Sequence, residues 1–238
     1  MHRDRFDQLF DNGRTAVLSG QHQRDIPPYD GSERWGISVI FRPDDDAVAR
    51  LDAVTRQAMA VAGPGHWPTG NERALHITVR ALESHRTGVA PDDPAVARYG
   101  RALRRAAREA RPARFGITGL TLTPGGVMAC LRPDDDAADS FAARIADELG
   151  ADAAYEAGFH RDIWYSTLVH FAGPLADPPA LVDFVAAARS HHLGPVRSDA
   201  AEVIHWRYDG RQTVPEVIHR STMEGAGRVG ERAESRHG

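Results

Sequence analysis

The hexapeptide Arg-Pro-Asp-Asp-Asp-Ala occurs at residues 42–47 and again at 132–137. Each copy follows a short run with the length and side chains of a strand, Gly36-Ile-Ser-Val-Ile-Phe41 in one case and Val127-Met-Ala-Cys-Leu131 in the other. Each is followed by apolar residues at helical spacing: Val48, Leu51, Val54, Met59 and Val61 after the first, Phe141, Ile145 and Leu149 after the second. The proline ends the strand, and the aspartates offer a helix N-cap whose charge suits the helix dipole. Six identical residues in the same strand-to-helix context are the footprint of an internal duplication with a shift of about ninety residues. Whatever this chain folds into, its two halves must carry matched elements.

The match continues downstream. Leu75-His76-Ile77-Thr78-Val79-Arg80 lies against Trp164-Tyr165-Ser166-Thr167-Leu168-Val169, displaced by 89 residues, and a one-residue indel in a loop accounts for the difference. Between the halves, 93–111 reads as an amphipathic helix rich in Ala and Arg, and 115–122 as a strand. Beyond the second half come a helix over about 179–190 and two strands, 203–208 and 214–220, around an Asp209-Gly210 turn. Residues 1–34 are polar and turn-rich with no sustained period, and read as an arm laid over a domain running from 35 to 222. The Gly/Glu/Arg-rich stretch 223–238 reads as a disordered tail.

Alternate side chains of a strand share a face, so Leu75, Ile77 and Val79 point to a core while His76, Thr78 and Arg80 stand together on the other side. That row suits a phosphate: imidazole moves a proton near neutral pH, a threonine hydroxyl donates to a non-bridging oxygen, and guanidinium neutralises charge. The plain alternative is a half-exposed strand with its polar side in solvent, and for an isolated His-x-Thr that alternative is the commoner one. The duplication changes the balance, because Thr167 repeats Thr78 and two such strands would face one cleft. In an unbroken strand His170, three residues past Thr167, faces the opposite side, while His160 precedes the strand in a loop and could swing toward the cleft.

Composition limits what such a cleft can hold and do. Lys+Arg number 29 against 33 Asp+Glu, a net charge of −4, so no overall basic field is available to grip a long nucleic acid by its phosphates alone. Every basic residue is arginine, which excludes P-loop, Schiff-base and nucleophilic lysines. A single cysteine, Cys130, excludes an intrachain disulfide and Cys-rich zinc or iron–sulfur centres, and it reads as inert core. The Asp44–Asp46 and Asp134–Asp136 triplets read as helix caps rather than metal ligands, so neither metal nor cofactor is expected. Met1-His-Arg-Asp-Arg-Phe-Asp7 lacks the apolar run of a secretory leader, and no stretch approaches the roughly 18–20 apolar residues that span a bilayer. The expected compartment is the cytoplasm, with no membrane partner.

The paired x-Thr strands inside a duplicated frame resemble the two-histidine phosphoesterase superfamily, which includes the RNA 2′-5′ ligase-like and cyclic phosphodiesterase proteins and carries two His-x-Thr strands as its signature. The resemblance spans about 35–220. It implies an α+β fold of two pseudo-symmetric lobes, each an antiparallel-type sheet backed by helices, around a central cleft. It also implies a metal-free mechanism in which one histidine activates the attacking hydroxyl, the other protonates the leaving oxygen, and the threonines hold the phosphate. His76, Thr78 and Thr167 match that pattern, whereas Tyr165 stands where the family has histidine. A phenol with a reference pKa of about 10 keeps its proton at neutral pH, so it can donate but is a poor base. The residues expected to be catalytic are His76 and Tyr165, with Thr78, Thr167 and Arg80 binding a nucleotide or RNA-end substrate. The expected function is a metal-independent phosphodiesterase acting on a cyclic or 2′,5′-linked nucleotide or an RNA 2′,3′-cyclic phosphate end. Open beside it are a member that lost turnover and binds nucleotide or RNA as a sensor or adaptor, and a cleft recruited to another reaction.

Overall fold

The computed structural model describes residues 4–158, 161–223 and 225. The chain begins with helix α1 (Arg5–Leu18), started by Asp4, whose carboxylate accepts from Phe6 N at 3.2 Å. This corrects the expectation of an aperiodic segment at 1–34. Phe6, Phe10, Gly13 and Val17 fall on one helical face and are buried, but a glycine in that stripe hides it from a hydropathy reading. The glycine is there for packing: a Cβ on Gly13 would lie 2.5 Å from the backbone carbonyl of Leu122.

The first repeat is β1 (Ile37–Phe41), α2 (Asp45–Ala62) and β2 (Ile77–Ala81). Helix α3 (Pro94–Arg108) and strand β3 (Ala113–Thr123) follow. The second repeat is β4 (Gly126–Pro133), α4 (Ala137–Leu149), a 3-10 segment Gly150–Glu156 and β5 (Trp164–His170). The chain then runs through α5 (Pro178–Ala187), β6 (Gly194–Ser198), β7 (Ala200–Tyr208) and β8 (Thr213–Thr222). Strand β6 went unread because Gly194 and Pro195 argue against a strand. Its place at a sheet edge is where a residue without an N–H is tolerated.

The strands form two four-stranded antiparallel sheets, in the orders β2-β1-β7-β8 and β5-β4-β3-β6. The duplication is visible in these orders, since the repeat's first strand is internal and its second strand is the edge in each sheet. The fold is thus α+β with two lobes. Residue alternation selects the faces: Ile37, Val39 and Phe41 of β1 enter the core while Ser38 lines the opposite side. Both lobes feed one apolar cluster, and Phe41 joins them by packing against Phe115, Phe141 and Trp164 at ring separations of 6.3, 5.1 and 5.9 Å.

The aspartate triplets serve helix starts. Asp44 accepts from Ala47 N at 3.0 Å, Asp135 accepts from Ala137 N at 2.8 Å, and Arg111 pairs with Asp135 and Asp136. Cys130 is buried, and burial pushes its thiol up to about 12. Among the described residues no helix is long and apolar enough to cross a membrane. Residue 224 and residues 226–238, which contain most of the stretch read as a tail, lie outside the described residues, as does His160.

Candidate functional site

Edge strands β2 and β5 meet where the two sheets approach. Ser166 Oγ donates to the carbonyl of His76 at 2.7 Å, a buried bond that ties the two x-Thr strands together. Beside this tie opens a cleft of about 420 Å³ lined by His76, Thr78, Tyr165 and Thr167, the four residues that the duplication pairs.

Both strands carry a bulge at the same place in the repeat. Val39 pairs with Arg80 and Ile40 with Thr78, so Val79 is an extra residue in β2. Val127 pairs with Val169 and Met128 with Thr167, so Leu168 is the extra residue in β5. An extra residue reverses the in–out alternation beyond it. The cleft therefore receives Thr78 and Ala81 from β2, with His76 from the residue just before it, and Tyr165, Thr167 and His170 from β5. Two expectations are corrected by this one feature. Arg80 leaves the row of His76 and Thr78 and donates through Nη2 to Ala153 O at 2.7 Å, on the wall of a separate cavity of about 840 Å³. His170, expected to face away, faces in.

His76 is buried and pinned. Its Nδ1 stands 2.8 Å from Ala74 O, and since a carbonyl can only accept, Nδ1 carries the hydrogen and Nε2 the lone pair. Its ring packs edge-on against Trp206, with centroids 4.5 Å apart. Burial lowers its pKa to about 4, the bond to Ala74 opposing this, and the charges of His170 and Arg42 adding to it. At neutral pH the imidazole is uncharged with Nε2 free to accept a proton. Thr167 is buried and Thr78 half-buried, and Tyr165 is half-buried on the same wall.

The loop before β1 supplies a wall that the sequence reading did not find. Asp25 is buried, pairs with Arg34, and accepts from His170 Nδ1 at 2.8 Å. Burial lowers the pKa of His170, although the Asp25 hydrogen bond and charge pull the other way. Arg34 and Arg161 bring guanidinium groups to the cleft in place of Arg80. Trp67, a loop residue before β2, is buried and anchors its loop by exchanging backbone hydrogen bonds with His170 at 2.9 and 3.0 Å. Nothing in the pattern around Arg34 marks it as cleft-lining, because a loop has no period from which direction can be read.

No protein-family model matches the chain, and no curated protein matches it. Solved structures do share its fold. TT0787 of Thermus thermophilus is similar at a TM-score of 0.60 and 16% identity, covering 80% of this chain and 99% of that one. Escherichia coli LigT complexed with 3′-AMP is similar at a TM-score of 0.54 and 9% identity, covering 80% of this chain and 98% of that one. A phosphoesterase is similar at a TM-score of 0.51 and 10% identity, covering 79% of this chain and 98% of that one. Likeness at such identities is likeness of fold.

Proposed function

We propose that this protein is a phosphoesterase, and more narrowly a metal-independent phosphodiesterase acting on a cyclic or 2′,5′-linked nucleotide or an RNA 2′,3′-cyclic phosphate end. The observation that carries this reading is the placement of His76 with Thr78, and Tyr165 with Thr167, at duplicated positions on two bulged edge strands facing one cleft. The fold shared with a phosphoesterase and with a LigT crystallised with 3′-AMP supports the same class of ligand.

In this reading the Thr78 and Thr167 hydroxyls donate to the non-bridging oxygens of the phosphate. His76 Nε2 takes the proton of the attacking hydroxyl or water as its oxygen bonds to phosphorus. The bond from phosphorus to the leaving oxygen breaks, and that oxygen takes the phenol proton of Tyr165. Proton exchange with solvent returns Tyr165 to the phenol and His76 to the neutral imidazole. Arg34 and Arg161, paired with Asp25 and Glu156, stand at the cleft where Arg80 was expected.

Hydrolysis of a nucleoside 2′,3′-cyclic phosphate, followed in the presence of a chelator, tests the assignment. Turnover is expected to persist in chelator and to be lost in His76→Ala. Strict dependence on an added divalent ion would overturn the mechanism. Tight nucleotide binding with no turnover in the wild type would make the cleft a binding site.

A further inference from the structure

Two polar atoms on the cleft wall are buried and have no hydrogen-bond partner among the described residues: Nε1 of Trp35 and Nε2 of His170. The two rings pack edge to face with centroids 4.8 Å apart. Indole Nε1–H can only donate. The Asp25 carboxylate accepts the hydrogen on His170 Nδ1, and burial favours the neutral ring, so Nε2 bears a lone pair and can only accept. A buried donor and a buried acceptor thus belong to two rings in edge-to-face contact and have their capacity unspent, in a protein interior where such groups are as a rule paired.

The surroundings fix both rings in place. Trp35 has φ 67, a left-handed conformation that is strained for a bulky side chain and marks a site held by its surroundings. His85 Nδ1–H donates to the Trp35 carbonyl at 2.6 Å, and Trp206 packs against the indole at 5.2 Å. Trp206 in turn packs on His76. The unpaired atoms therefore belong to a rigid aromatic row that begins at His76.

We infer that Trp35 Nε1–H and His170 Nε2 form a hydroxyl-reading subsite beside the threonine pair, and that the group they read is a sugar hydroxyl next to the phosphorylated one. A hydroxyl satisfies both atoms at once, accepting from the indole and donating to the imidazole. On a ribose that hydroxyl is on the ring carbon next to the one bearing the phosphoester, so it lies beside the phosphate that the threonines hold; it is free in a 2′,5′-linked substrate and in a nucleoside monophosphate, and a 2′,3′-cyclic phosphate frees it on ring opening. His170 is then a binding residue and Asp25 positions it. This rests on the phosphoester reading of the cleft.

The test is equilibrium binding of adenosine 3′-monophosphate, 2′-deoxyadenosine 3′-monophosphate and inorganic phosphate to the full chain. The wild type is expected to prefer the ribo form by roughly tenfold or more, the consequence of leaving two buried polar atoms unpaired in the deoxy complex. Trp35→Phe removes the N–H and keeps an aromatic ring, and His170→Phe removes the acceptor. Each is expected to bring the ribo-to-deoxy ratio to within about twofold of unity. His170→Phe also strips Asp25 of a partner, so if it fails to fold, Trp35→Phe carries the test. A wild-type ratio near one, or a ratio that survives Trp35→Phe, overturns the subsite while phosphate binding leaves the phosphoester reading standing. Failure to bind phosphate and both nucleotides overturns the two together.

Discussion

At the scale of single residues, the proposed function turns on Tyr165 and the buried His76. If the phenol supplies the proton of the leaving oxygen, Tyr165→Phe should lower turnover by about 10²–10⁴-fold with little change in substrate affinity, as single-turnover and binding measurements on the same protein would show. A base whose pKa lies at about 4 also predicts the pH profile: kcat/KM should hold its value well below pH 6.5 and fall only as pH approaches about 4. An acid limb centred near 6.5 would give the role of base to another group. His76, Thr78, Tyr165 and Thr167 were legible in the sequence because each lies before the extra residue of its strand, where alternation still holds. Arg80 and His170 were misplaced because each lies after it. A bulge leaves no mark in residue type when the extra residues, here Val79 and Leu168, are as apolar as their neighbours.

Elements were legible in proportion to how regular their patterns are. The repeated hexapeptide located two strand–helix junctions, and both edge strands followed from the second match. Helix α1 did not follow, since its buried stripe includes a glycine where a larger apolar residue would have been recognised. That glycine gives a sharp prediction. Gly to Ala inside an exposed helix is stabilising by about 1 kcal/mol, yet Gly13→Ala would drive a methyl into the Leu122 carbonyl. The variant is therefore expected to lose about 1–3 kcal/mol in urea unfolding. A gain in stability would mean that α1 does not press on β3 as described. The loop of residues 19–36 was likewise unreadable in direction. It nonetheless delivers Arg34 and Trp35 to the cleft and Asp25 to His170, held by backbone bonds such as Asp25 N to Phe171 O at 2.6 Å and Gly31 N to His85 O at 2.9 Å.

For the molecule as a whole, the two lobes share a core and several buried histidines. His66, His76, His170 and His205 all have lowered pKa values, with burial the largest cause in each. The unfolded chain binds protons near pH 6.5 that the native histidines refuse. Stability carried by these groups is therefore fully present above about 6.5 and is lost as pH falls through their lowered folded values, which for His76 is about 4. His76 alone contributes roughly 3 kcal/mol across that window. Urea unfolding of wild type and His76→Asn at pH 7 and pH 4.5 should show their difference narrowing on acidification, and a difference independent of pH would contradict it. The pairing of His76 with Tyr165 has a further consequence. A phosphodiester core has a two-fold symmetry of its own, and two threonines related by the duplication match it. Two identical proton carriers at the duplicated positions would let either end of the substrate be attacked. In the proposed mechanism, a phenol on one side and an imidazole on the other give the reaction polarity: the nucleophile would enter on the His76 side and the departing alcohol leave on the Tyr165 side, so a diester bound end for end would be unproductive.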